Sequence, residues 1–184
     1  MNLFYEEFPK AVSIGGKDVG IITDFREYIR LFDMLKCEGL TSIDKHSLIS
    51  EYFLEEIPVD STAIKALEEF VAMFAVTEGR GSGRATPKKD LFSYSIDYPY
   101  ILSGFLRDYG LDLDTVGYLH WWKFRMLFDG LSEDTEIKQR IMYRGIDLSD
   151  IKDKEERKRI SRIQKIIRLP AEVLSDYDIG NAFA

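Results

Sequence analysis

Residues 118–130 read YLHWWKFRMLFDG, and the reading of this stretch decides the fold. It holds both tryptophans of the chain, one of its two histidines, two phenylalanines and two cations. On a helix from Leu113 to Leu131, at ~100° per residue, Trp121, Phe124, Leu127 and Phe128 share one broad sector. Leu119, Trp122 and Met126 fall in another. Lys123, Arg125 and Asp129 lie between the two and make no clean polar face, although a side chain such as Lys123 can snorkel past its neighbours. A helix that is apolar on two sides is a central one, packed from more than one direction.

His120 falls between Val116, Phe124 and Leu127 on that surface. A catalytic histidine needs a nucleophile, an orienting carboxylate or a metal. The other histidine, His46, sits on a separate helical segment with Ile43, Ile49 and Phe53. Two histidines and one cysteine, with no His-x-x-x-His or Cys-x-x-Cys, make no recognisable zinc site. A Gly-x-Ser-x-Gly elbow is missing as well, because Arg80 and Arg84 flank Ser82. Both histidines are expected to be structural, and residues 118–130 to be core. Asp112, Asp114, Glu133, Asp134 and Glu136 occur where helices start, where capping and the helix dipole explain acids. Cys37 reads as an ordinary thiol. No catalytic, metal or cofactor residues are proposed from the sequence, and the protein is not expected to be an enzyme.

Working outward, KAVSIGGKDVGIIT (residues 10–23) alternates Val12 and Ile14 with Val19 and Ile21 around Gly15-Gly16, the pattern of a tight β-hairpin. Asp24, followed by Glu27, predicts a capping box opening a helix with Phe25, Tyr28, Ile29, Leu31, Phe32 and Leu35, closed by Gly39. A second helix is predicted from Thr41 or Ser42 to just before Ile57-Pro58. A third starts near Asp60-Ser61, with Ala63, Leu67, Phe70, Val71 and Phe74 as its stripe. Further helices are expected from about Asp97 to Gly110, with Tyr98, Ile101, Leu102, Phe105 and Tyr109 inward, then over 133–144 and over 153–168. Leu169-Pro170 stops the last. The expected fold is mainly α: a compact helical domain of about six helices with a small N-terminal β-hairpin. Residues 1–77 hold the hairpin and three helices, and residues 91–170 are expected to pack with them as one domain. Between them, EGRGSGRATPKKD (78–90) carries glycines, four cations and no large apolar side chain, so it reads as a flexible basic loop. Residues 171–184 read as a loose tail.

The charge is unevenly spread. The total of −7 contains residues 1–77 with 7 cations and 14 acids, and residues 151–170 with 8 cations and 3 acids. An acidic body with one basic segment lacks the broad positive footprint of a nucleic-acid binder, but leaves room for one localised contact. The lone cysteine excludes an internal disulfide and fits a reducing compartment. No apolar run reaches the ~20 residues of a membrane helix, and MNLFYEEFPK carries acids where a signal peptide carries cations. These features lead us to expect a soluble intracellular protein. Within 153–168, Ile160, Ile163 and Ile167 define an apolar face, from which Arg159, Arg162 and Lys165 project. The cations are either a solvated polar face or a docking surface, and these three are the candidate partner contacts.

Four blocks carry a resemblance: TDFREYIRL (23–31), YLHWWKF (118–124), YRGIDLS (143–149) and IKDKEERK (151–158). The chain resembles the gene-product-fifteen family, encoded in the tail modules of long-tailed phages and prophages of Gram-positive bacteria. The likeness runs from Val12 to Pro170 and is weakest across the glycine-rich stretch. The tail beyond Pro170 is longer than the family leads one to expect. The resemblance implies a tail assembly chaperone that coats the tape-measure protein until tube subunits polymerise around it. It implies no catalytic residues and no cofactor. A structural tail or connector component of the virion, or a small nucleic-acid-binding regulator using residues 151–170, are the alternatives.

Overall fold

The computed structural model describes residues 5–37, 39–72 and 91–170. Phe74, the glycine-rich stretch 78–90 and the tail 171–184 lie outside the described residues. Among the described residues the chain forms a two-stranded hairpin and seven helices, against the six or so expected. They group into two compact units. One holds the described residues before 73 together with Gly117–Met126; the other holds residues 91–116 and 127–170.

In the first unit, β1 (Ala11–Ile14) pairs antiparallel with β2 (Lys17–Gly20), with Val12 opposite Val19. Gly15 and Gly16 turn at φ 58° and 83°, the two positive angles a type I′ hairpin demands. Val12 and Val19 face inward, where α3 (Ser61–Ala72) packs on β1. The chain then enters α1 (Phe25–Leu35), which buries Phe25, Tyr28, Leu31, Phe32 and Leu35 at helical spacing. Asp24 does cap α1, but through the Arg26 amide at 3.0 Å. Glu27 does not complete a box, because its carboxylate is held by Arg30 at 2.9 Å. The reciprocal capping box forms instead at α2 (Ser42–Ser50), between Thr41 and Asp44. That helix ends well before Ile57. Tyr52 O accepts from Ile22 N, Phe53 bridges to Ile21, and Leu54 N donates to Gly20 O, so the chain beyond Ser50 runs alongside β2.

The largest departure from expectation is at residues 113–120, which are not helical; α5 runs only over Trp121–Asp129. Tertiary pairing has displaced local periodicity. Phe25 N donates to Leu119 O at 3.0 Å and Trp121 N to Thr23 O at 2.7 Å, so residues 119–121 lie as an extended bridge beside residues 23–25. Asp112 and Asp114 therefore sit in a turn, where Asp112 Oδ1 accepts from the Asp114 amide at 2.9 Å, and not at a helix start.

In the second unit, α4 (Tyr98–Tyr109) ends on Gly110 in the left-handed conformation, as its sequence predicts. Ile101 and Phe105 are buried, whereas Tyr109 stays largely exposed. α6 (Glu136–Gly145) packs on α4, and α7 (Lys154–Ile167) on α6. Phe92, Tyr94 and Phe128 cluster with ring centroids 5.0–5.6 Å apart. Asp97 sits at the N-cap of α4 without capping it; its carboxylate is buried against Arg144.

Candidate functional site

Two places in the sequence invited a functional reading: residues 118–130 and the basic helix. In the first, His120 is only 4% exposed. Its Nδ1 accepts the Trp122 amide at 3.1 Å, which places the ring proton on Nε2, where it donates to Pro9 O at 2.9 Å. The ring stacks on Phe8 with centroids 4.9 Å apart. Burial pushes its pKa below the ordinary value, so the imidazole is neutral at pH 7. Both nitrogens are thus spent on backbone: the histidine caps the first turn of α5 and ties down residues 8–9. His46 departs from expectation, being exposed on α2. Only α2's Ile49 turns inward, and the first-turn Ile43 is exposed, so no apolar pocket forms around His46. Cys37 is a free, exposed thiol. Among the described residues no group of three or more His, Cys, Asp or Glu side chains could hold a metal ion.

The paired tryptophans are explained by their nitrogens as much as by their rings. Trp122 Nε1 donates to Phe70 O at 2.9 Å and Trp121 Nε1 to Val71 O at 3.3 Å. Both acceptors belong to the last described turn of α3. Buried indoles need an acceptor, and a helix C-terminus offers several. The rings fill the space between helices: Trp121 lies 5.4 Å from Tyr28 and 5.5 Å from Phe32, and Trp122 stacks on Phe70 at 5.5 Å.

The basic helix α7 is built differently. Asp153 caps it by accepting the Glu156 amide at 2.6 Å, and Glu155 and Glu156 place acids in the first turn. Ile160 and Ile167 are buried, and Gln164 Nε2 donates to Tyr143 O and Ile146 O, each at 2.8 Å, docking α7 on the end of α6. Arg144 Nε donates to Ile167 O at 2.7 Å and closes the far end. Gln164 and Arg144 were not singled out in the sequence, where nothing local distinguishes them from solvated polar residues.

At 100° per residue, Arg159, Arg162, Lys165 and Ile166 fall within ~120° of one another, in a sector beside the face that Ile160, Ile163 and Ile167 define. The three candidate cations are all exposed. Arg159 is held by the Glu156 carboxylate at 2.6 and 2.8 Å, which raises its already high pKa further. Neither Arg162 nor Lys165 makes an ion pair among the described residues. Ile166, 83% exposed, projects on the same side, between Arg162 and Arg159 around the helix, and was not singled out in the sequence. It is an apolar side chain with cations beside it.

A family model described as Bacteriophage Gp15 protein matches residues 4–169. The chain belongs to this family. No curated protein and no solved structure matches it. The four blocks noted in the sequence of this Gp15-family protein have identifiable physical roles. TDFREYIRL supplies the cap and the buried face of α1, and YLHWWKF the capping histidine and the two indoles. YRGIDLS supplies Arg144, and IKDKEERK the cap and first turn of α7.

Proposed function

We propose that this Gp15-family protein is a non-enzymatic tail assembly chaperone, acting in the host cytoplasm, that binds the tape-measure protein during tail morphogenesis. Membership of a phage family over residues 4–169 is the observation that carries the reading. The exposed row on α7 supports it by offering a contact surface. A tape-measure chain presents long amphipathic helices that self-associate unless covered, and a surface combining an apolar centre with cations suits a helix with acids flanking its apolar stripe. Arg159, Arg162 and Lys165 are the proposed contacts, with no cofactor involved.

Co-expression with the tape-measure protein followed by size-exclusion chromatography tests this. The expected result is a soluble complex, weakened when the three cations are reversed to glutamate. Exposed substitutions shift stability by only ~0.5 kcal/mol, so the fold should survive. A tape-measure protein equally insoluble with and without its partner would overturn the proposal. Rescue by the reversed variant would overturn only the choice of surface.

A further inference from the structure

The row on α7 has a counterpart elsewhere in the same chain. Beyond α2, the register that pairs Ile21 with Phe53 and joins Leu54 N to Gly20 O carries residues 51–56 along β2. This segment reads EYFLEE. Tyr52 and Phe53 are buried, whereas Glu51, Glu55 and Glu56 are exposed and Leu54 is 68% exposed. Leu54 lies over the hairpin, its Cδ1 3.2 Å from where a side chain on Gly20 would begin. The exposed Asp18 of β2 adds a further acid beside the segment. Lys17 of β2 is taken up by Glu55 at 2.8 Å. The surface is therefore a leucine ringed by carboxylates.

We infer that residues 51–56 of one copy of this protein receive α7 of another, in a head-to-tail contact. The match is of sign and kind. One patch presents Leu54 in a segment with Glu51 and Glu56, and the other presents Ile166 on the side of α7 that carries Arg162 and Lys165. Each apolar side chain is stranded in water, and each charged ring would be repelled by a copy of itself. The two patches differ, so the contact is heterologous. Each copy that docks leaves one patch open at either end, and such contacts propagate into rings or open chains and do not stop at a symmetric dimer. Long-range attraction between unlike patches also favours this partner in dilute salt. The inference does not rest on the tape-measure reading, since it concerns the purified protein alone.

Sedimentation velocity on the full chain tests it. The wild type should sediment above its monomer mass of 21.3 kDa as concentration rises in dilute salt. Its association should weaken at least tenfold between ~0.05 and ~0.5 M salt, where the Debye length shrinks from above ~10 Å to below ~5 Å. Arg162→Glu with Lys165→Glu gives a chain with two acidic patches, and Glu51→Lys with Glu56→Lys a chain with two basic ones. Each variant should remain monomeric alone, with an unchanged circular dichroism spectrum, and the two mixed should associate again, because every contact between unlike variants then joins opposite charges. Restoration in the mixture also excludes misfolding as the cause of the separate losses. A wild type that stays monomeric in dilute salt overturns the inference. So does association that survives either reversal, or a mixture that remains monomeric.

Discussion

Arg144 and Asp97, 47 residues apart, form a buried two-pronged ion pair in the second unit, with Nη1–Oδ2 at 2.6 Å and Nη2–Oδ1 at 2.9 Å. Two further donors of the guanidinium are also occupied: Nε by Ile167 O, and Nη1 additionally by Leu91 O at 2.9 Å. The carboxylate in turn accepts the Ser93 amide at 3.1 Å. One arginine thus fixes the entry to α4 and the exit of α7 from a position in the last turn of α6.

Breaking this pair from one side should cost more than removing it whole. Arg144→Met or Asp97→Asn should each destabilise by ~3–5 kcal/mol, because the other charge is left buried without its partner. The double variant should lose less than the sum of the two. Urea unfolding of the four proteins of the cycle measures both the losses and the coupling.

Trp122→Ala should cost ~3–5 kcal/mol by emptying a large aromatic site. Trp122→Phe keeps most of the ring volume but loses the donor to Phe70 O, and should cost less, though at least the ~1 kcal/mol of a hydrogen bond. The same denaturation experiment ranks the two. No loss in Trp122→Phe would mean that the indole nitrogen contributes nothing.

His120 makes stability depend on pH in a defined direction. Its folded pKa lies below the ordinary value of 6.5, so between the two the unfolded chain binds a proton that the folded chain does not. Its contribution is complete above 6.5, falls as pH drops from there to the folded pKa, and is level below it. Melting temperatures of the wild type and His120→Gln, compared from pH 7.5 to pH 5, isolate this term. The wild type should lose more than the variant over that range. Parallel curves would show that the ring titrates normally.

Gly104 in α4 is buried, and a side chain there would meet Leu131 Cδ1 at 3.2 Å and Thr135 Cγ2 at 3.6 Å. Gly104→Val should therefore destabilise by ~1–3 kcal/mol through overpacking, despite removing a poor helix former. Gly104→Ala gains up to ~1 kcal/mol of helix propensity against the same contact and should be near neutral. Thermal unfolding of the two variants distinguishes the effects.

The elements that local pattern specifies were legible. The Gly15-Gly16 hairpin, the stripe of α1, the start of α3 at Ser61 and the glycine end of α4 all follow from spacing and turn chemistry within a dozen residues. What failed was non-local. Leu113–His120 carries helical periodicity, but its partner lies at residues 23–25, and no pattern within the segment announces that pairing. The capping acids misled for a related reason. Asp24-x-x-Glu27 and Thr41-x-x-Asp44 both have the spacing of a box, and only the first has an arginine at position 30 to draw its carboxylate away. Of the candidate contact residues, all three were correctly read as lying on α7. All three are exposed there, and the inward face carries Ile160 and Ile167, as their spacing predicts. Ile166 escaped notice because an isoleucine among isoleucines is counted as core.

The indoles that close the last turn of α3 also impose an order on synthesis. Phe70 and Trp122 are 52 residues apart, and until Trp122 leaves the ribosome the described end of α3 lacks both its covering rings and their indole donors. At ~5–20 residues per second that interval lasts ~3–10 s, during which the nascent hairpin and first three helices hold an open aromatic seam. Residues 117–126, the last of the described residues to enter this unit, are therefore its keystone in time as well as in space.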